Sequence, residues 1–197
     1  MMFKSLRIIS TALALLIAAS AASAQDEAKY KELPNFHQVN ANLYRGGQPK
    51  EGGLQRLAGL GIKTVINLRD DDERARAEEK EARAAGLRYF NIPLDNFGKP
   101  GDEKIDRALA LINAPENQPV FVHCKRGADR TGTVIAIYRI SHDGWTSERA
   151  KAEAKRYGIG FWQVSMKDYI HDYYERRSAG KAKVSKWSME QRKLVVV

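Results

Sequence analysis

Pro119-Val120-Phe121-Val122 is a short, almost wholly apolar run that leads straight into His123-Cys124, and Arg130-Thr131 follows after five further residues. A run of this length reads as a buried strand. Val134, Ile137 and Tyr138 then share one face at helical spacing, so Arg130 to His142 reads as a helix despite its β-branched residues. A strand, a tight loop and a helix start leave little freedom to what lies between. Backbone N–H groups of such a loop converge on a tetrahedral anion, and the helix turns its positive end to the same point. Gly127 can take a backbone conformation closed to other residues. Arg130 offers a planar fork matched to two phosphate oxygens, which lysine would not reproduce.

Cys124 is the only cysteine in the 197 residues, so neither an internal disulfide nor a zinc site of several cysteines can form. A lone cysteine is either a small buried hydrophobe or a reactive thiol, and its neighbours decide which. Helix N-termini and cations favour the thiolate, the nucleophilic form. Phosphoryl transfer needs an in-line nucleophile and compensation for charge on the equatorial oxygens. Cys124 fits the first role and Arg130 the second. Lys125, Arg126, Gly127, Ala128, Asp129, Arg130 and Thr131 make up the phosphate-binding loop. Thr131 is positioned to hydrogen-bond the sulfur and improve it as a leaving group. Asp129 either orients Arg130 or a water, or serves only as a hydrogen-bond acceptor within the loop. His123 reads as a brace for the loop rather than a base. His37, His142 and His171 have no ligand-like spacing, so no metal role is assigned to them.

Around this loop, apolar runs alternate with helical patterns. Val39 to Tyr44, Lys63 to Leu68 and Leu87 to Ile92 read as strands. Glu51 to Leu60, Asp72 to Ala85, Asp102 to Ile112, a segment capped by Thr146, and Met166 to Arg177 read as helices. The alternation predicts an α/β domain with a central, largely parallel sheet flanked by helices. It spans residues 25–178 and is followed by a basic tail over 179–197, read as a solvated extension.

The first 24 residues stand apart. Lys4 and Arg7 precede the apolar stretch Ile8 to Ala19, and Ala22-Ser23-Ala24 puts small residues just before Gln25-Asp26-Glu27. That is the layout of a secretory signal peptide, too short in its apolar part to span a bilayer. The expectation is an exported protein, periplasmic or secreted, cleaved near Ala24. Without Lys4 and Arg7 the formal charge of +9 becomes +7. Such a surplus favours anionic partners: phosphate esters, or peripheral contact with an anionic membrane. Neither interleaved aromatics nor a nucleic-acid motif is present, so nucleic acid is not expected as a partner.

His123 to Thr131 matches the HCxxGxxRT signature of protein tyrosine and dual-specificity phosphatases. Asn42-Leu43-Tyr44-Arg45-Gly46-Gly47-Gln48-Pro49 and Thr64-Val65-Ile66-Asn67-Leu68-Arg69 resemble segments of the atypical dual-specificity branch, which includes inositol-pyrophosphate phosphatases. The resemblance covers about Phe36 to Tyr174. It implies a phosphomonoester hydrolase with a cysteinyl-phosphate intermediate and no metal or other cofactor. It also implies an aspartic acid on an upstream loop as general acid and then base. Asp95, in Leu94-Asp95-Asn96-Phe97-Gly98-Lys99-Pro100, resembles that loop; Asp102 is the alternative, though an aspartate there reads as a helix cap. Arg45 and Arg69 read as structural, paired with acidic residues. The substrate implied is a phosphorylated protein, with inositol phosphates or phosphoinositides as the second reading. A sulfurtransferase fits the Arg130-Thr131 ending and the upstream aspartates less well, and a non-catalytic anion-binding module would keep Arg130 and the basic surface but lack turnover.

The exported protein is expected to begin at or near Gln25. N-terminal mass analysis of the exported fraction checks this, and a full-length product that needs membrane extraction would contradict it.

Overall fold

The period-two alternation along the strands decides the architecture. Val120 and Val122 of one strand and Ile66 of its neighbour face one apolar cluster, while Phe121 and Val65 face another. A sheet buried on both faces needs a helical layer on each. The computed structural model describes the backbone of residues 30–194 and the side chains of residues 30–180. The expected signal segment and the side chains beyond residue 180 lie outside it.

Its five strands are β1 (His37–Asn40), β2 (Leu43–Gly46), β3 (Thr64–Asn67), β4 (Arg88–Asn91) and β5 (Val120–His123). They lie in the order β1-β2-β5-β3-β4, with β1 antiparallel to β2 and the other pairings parallel. The helices are α1 (Gly53–Gly59), α2 (Glu73–Ala84), α3 (Asp102–Asn113), α4 (Asp129–Ser141), α5 (Ser147–Arg156) and α6 (Val164–Leu194). Helices α1 and α2 cover the Phe121 face, and α3 to α6 cover the other. Among the described residues no helix is long and apolar enough to cross a membrane.

Two elements differ from the sequence reading. Val39 to Tyr44 is not one strand: Asn40 Oδ1 accepts from the Asn42 N–H at 2.9 Å and turns the chain into a hairpin. The last helix does not stop at Arg177 but runs unbroken to Leu194. The stretch after Ser178 has lost its apolar stripe, yet most of its residues, Lys and Ala foremost with Met189, Glu190, Gln191, Arg192 and Leu194, favour helix without it.

Strand β5 lies between β2 and β3, and its carboxyl end releases the chain into the cysteine loop, the usual place for a ligand in an open α/β sheet. The loop lies against the end of β2 at backbone contact. Gly127 has φ +70°, and a Cβ there would sit 2.3 Å from the Gly46 carbonyl carbon and 2.5 Å from the Gly47 nitrogen. Gly47 makes room from the other side, since a Cβ there would come within 3.2 Å of the Arg126 carbonyl carbon, while a Cβ on Gly46 would meet the Phe121 ring at 2.7 Å.

Behind the loop, His123 is fully buried and its Nε2 lies 3.0 Å from Glu78 Oε1. The contact is close but poorly angled for a hydrogen bond. Glu78 Oε2 accepts from Asn67 Nδ2 at 2.9 Å and Tyr89 Oη at 3.1 Å. Burial works to raise the Glu78 carboxyl, but His123, Gln48 and Tyr89 outweigh it and hold the group below its ordinary value.

Two expectations follow. Gly127→Ala meets backbone that cannot move aside and costs about 1–2 kcal/mol for the left-handed conformation alone. Thermal unfolding should show a clear loss of stability together with loss of phosphate binding, and a variant that binds phosphate as wild type does would contradict the close approach. Glu78, with its folded value depressed, stabilises the fold above the ordinary glutamate value of 4.5, and that contribution disappears as pH falls through the folded value. Denaturant titrations across acid pH should show this slope flattened in Glu78→Gln; an unchanged slope would contradict it.

Candidate active site

The carbonyls of the loop are secured from outside. The Lys125 carbonyl accepts from the Gln48 N–H at 3.2 Å, the Arg126 carbonyl from Asn35 Nδ2 at 3.1 Å, and the Gly127 carbonyl from Arg45 Nη2 at 2.7 Å. With these carbonyls held, the N–H groups of Lys125 to Ala128 donate to nothing among the described residues. They join the unpaired N–H groups of the first turn of α4, and together they form the anion cradle.

Cys124 is buried beneath this cradle and lines a cavity of about 460 Å³. Arg130, 6% exposed, reaches the same cavity with Nη1 3.4 Å from the Leu68 carbonyl at the end of β3. Lys125, Arg126 and Asp129 line it as well. Thr131 is fully buried, and its hydroxyl has no hydrogen-bond partner among the described residues, so the expected contact with the sulfur is not made. Gly127 and Ala128 supply backbone only.

Asp129 is a connector. Its Oδ2 accepts from Arg126 Nη2 at 2.5 Å, and its Oδ1 accepts from the Gly160 N–H at 2.8 Å. It therefore ties the loop to the segment between α5 and α6, which brings Trp162 and Gln163 into the cavity. Gln163 Nε2 in turn donates to the Asn96 carbonyl at 2.9 Å, joining this segment to the loop of Asp95.

Asp95 itself is exposed, and its Oδ1 accepts from the N–H groups of Phe97 and Gly98, both at 2.7 Å. These bonds hold its carboxyl below the usual range, and the charges of Lys104 and Arg130 add to the effect. Its neighbours Asn96 and Phe97 line the cavity, while the carboxylate caps its own loop. Asp102 is engaged elsewhere. It is the first residue of α3, preceded by the cap Gly101, and its Oδ1 accepts from Tyr169 Oη at 2.5 Å and Arg176 Nη2 at 3.0 Å. Among the described residues no group of His, Cys, Asp and Glu is placed to hold a metal ion.

Arg45 and Arg69 do not pair with acids as the sequence reading expects. Arg45 is 1% exposed, stacks over the Tyr157 ring at 4.4 Å, and leaves Nε and Nη1 without partners. Burial pushes it down to about 10, against the opposing pull of Glu153, Tyr157 and Cys124. It is a buried cation beneath the anion loop. Arg69 donates to Gln48 Oε1 at 2.8 Å and lines the cavity beside Asp70. Asp70, Trp162 and Gln163 were not singled out in the sequence. The one signal for the latter two is the pair Gly158 and Gly160, which marks a loop beside Phe161-Trp162.

With this geometry the chain can be compared with known proteins. The family model described as DSP-PTPase phosphatase fused to NAD+ kinase matches residues 18–172. The dual specificity protein phosphatase TpbA of Pseudomonas aeruginosa (strain UCBPP-PA14) is 32% identical over 127 residues, 64% of this chain and 56% of that protein. An inositol diphosphatase of Oryza sativa subsp. japonica is 30% identical over 155 residues, 77% of this chain and 60% of that protein. The chain thus spans little more than half the length of these curated relatives. Among solved structures, P. aeruginosa TpbA in complex with pTyr superposes with a TM-score of 0.62 at 26% identity, covering 74% of this chain and 89% of that one. The core catalytic domain of a PP-IP phosphatase from S. cerevisiae shares the fold, with a TM-score of 0.62 at 22% identity over 78% of this chain and 94% of that one. A cysteine and an arginine in one anion cradle at the end of the central strand, and a family match over most of the sequence, lead to one conclusion: the chain belongs to the DSP-PTPase phosphatase family.

Proposed function

We propose that this chain is an exported, cysteine-dependent phosphomonoester hydrolase that acts without a metal ion on phosphorylated proteins, phosphotyrosine foremost. The observation that carries the reading is the loop of unpaired N–H groups above Cys124, with Arg130 in the same cavity. An ester phosphate seated there presents phosphorus to the sulfur and its oxygens to the N–H groups and the guanidinium. Cys124 Sγ attacks, the S–P bond forms, the P–O bond to the leaving group breaks, and Asp95 gives the leaving oxygen a proton. Water then attacks phosphorus, Asp95 takes its proton, and inorganic phosphate leaves with return of the thiolate. For this role Asp95 must give up its bonds to the Phe97 and Gly98 N–H groups as substrate enters. The same change removes the interactions that hold its carboxyl low and so favours the protonated acid.

The cavity rim supports a protein substrate. Phe97, Phe161, Trp162 and Val164 are the large hydrophobic residues exposed among the described ones, at 50 to 84%. Phe97 and Trp162 line the cavity, and Phe161 meets Trp162 edge-on at 5.0 Å. An aromatic phosphoester on a polypeptide covers such a rim, whereas a small hydrated polyphosphate leaves it bare. The second reading, an inositol phosphate, is favoured by Lys125, an exposed cation on the cavity wall, and by the similarity to the rice inositol diphosphatase.

Hydrolysis of para-nitrophenyl phosphate in the presence of a chelator tests the reaction class. Cys124→Ser should lose turnover by at least about 10³-fold while still binding phosphate, and residual turnover within tenfold of wild type would refute the mechanism. Asp95→Asn should slow alkyl phosphates far more than aryl phosphates with good leaving groups; equal losses on both would remove Asp95 from the role of acid.

A further inference from the structure

Four cations and two carboxylates line the catalytic cavity, and one carboxylate is placed unlike the other. Asp70 is exposed, whereas Asp129 is 6% exposed and lies in the phosphate loop next to Arg130. Its partner Arg126 has a side chain 52% exposed, folded back to the carboxylate at 2.5 Å and lying over the Trp162 ring at 5.6 Å. Arg126 is thus a cavity cation whose charge is already answered within the loop. Of the other cations, Arg69 is hydrogen-bonded to the neutral Gln48, with Asp72 acting on it only through charge, Asp95 acts in the same way on Arg130, and Lys125 makes no ion pair among the described residues, so on this wall the close ion pair falls to Arg126.

We propose that Asp129 is a specificity-determining residue that restricts this site to esters carrying one phosphate, by cancelling Arg126 and presenting a negative charge to any second phosphate. The inference rests on the phosphatase reading above and deepens it. A first phosphate over Cys124 is held by the cradle and Arg130. A second phosphate bound to the same molecule and directed at Arg126 must displace the carboxylate from a 2.5 Å contact, and it meets a like charge there. The other oxygen of Asp129 is fixed by the Gly160 N–H, so the carboxylate cannot simply turn away. An asparagine keeps an acceptor for Gly160 and removes the charge, which isolates the electrostatic effect.

The test is the ratio of affinities for inositol hexakisphosphate and inorganic phosphate, measured by calorimetry on the full chain. In Asp129→Asn the ratio should rise about three- to tenfold in favour of the polyphosphate, as expected for one freed charge at a half-exposed site, and added salt should erode the gain. An unchanged or lower ratio overturns the proposal. Asp129→Asn combined with Arg126→Gln removes both charges, leaves their sum as it was, and should match the wild-type ratio to within about twofold. A tenfold loss in that double variant would mean that Arg126 already serves a second phosphate, and would overturn the proposal even if the single variant did not fold. Because the ratio is read from binding, it stands apart from turnover. Absence of para-nitrophenyl phosphate hydrolysis by the wild-type chain would count against the phosphatase reading and leave the charge ratio to be judged by itself.

Discussion

The site depends on three hydrogen bonds made to the loop from behind. An anion cradle requires N–H groups with no internal partner, and a chain leaving a strand normally pairs them. Here the Gln48 N–H, Asn35 Nδ2 and Arg45 Nη2 occupy the carbonyls of Lys125, Arg126 and Gly127, so the peptide planes are fixed with their donors unpaired. Asn35 lies just before β1, Arg45 in β2 and Gln48 just beyond it, where Gly47 permits close approach of the loop backbone. A bound anion can supply the acceptors that the fold withholds.

Electrostatics follow the same plan. Arg45 is a cation with almost no exposure, and its guanidinium makes one hydrogen bond among the described residues, an arrangement that costs stability unless negative charge lies nearby. Glu153, Tyr157 and Cys124 all act to keep it charged. On the other side of the strand, the Glu78 carboxylate sits against His123, directly before Cys124. The Cys124 sulfur is therefore held between a buried cation under its loop and a buried acid–imidazole pair under its strand, while Arg130 lies on the cavity side.

The part of this site that was legible in the sequence is the contiguous part. Cys124 to Thr131 carry thiol, cradle and guanidinium in one stretch, and the apolar run before it and the helical spacing after it fix its place in the fold. What was not legible depends on approach between distant segments. Arg45 is 82 positions from the carbonyl it holds and Asn35 is 91 from its own, so pairing with acids was the default expectation for Arg45, and Asn35 carried no signal. Asp129 kept two readings open until Gly160 was seen to donate to it. The loop of Asp95 was readable, but the direction of its carboxylate depends on two N–H groups of its own turn, a local competition that no spacing reveals. The length of the last helix was hidden because propensity carries it past the end of its apolar stripe.

The central claim is that Cys124 forms the covalent intermediate inside this cradle. Rapid acid quench during turnover of an aryl phosphate, followed by mass analysis of the peptide holding Cys124, tests it most directly. The account predicts the added mass of one phosphoryl group on Cys124, accumulating further in Asp95→Asn as the second step slows. A phosphoryl group on another residue, or sustained turnover with Cys124 never modified under conditions that slow its release, would contradict it.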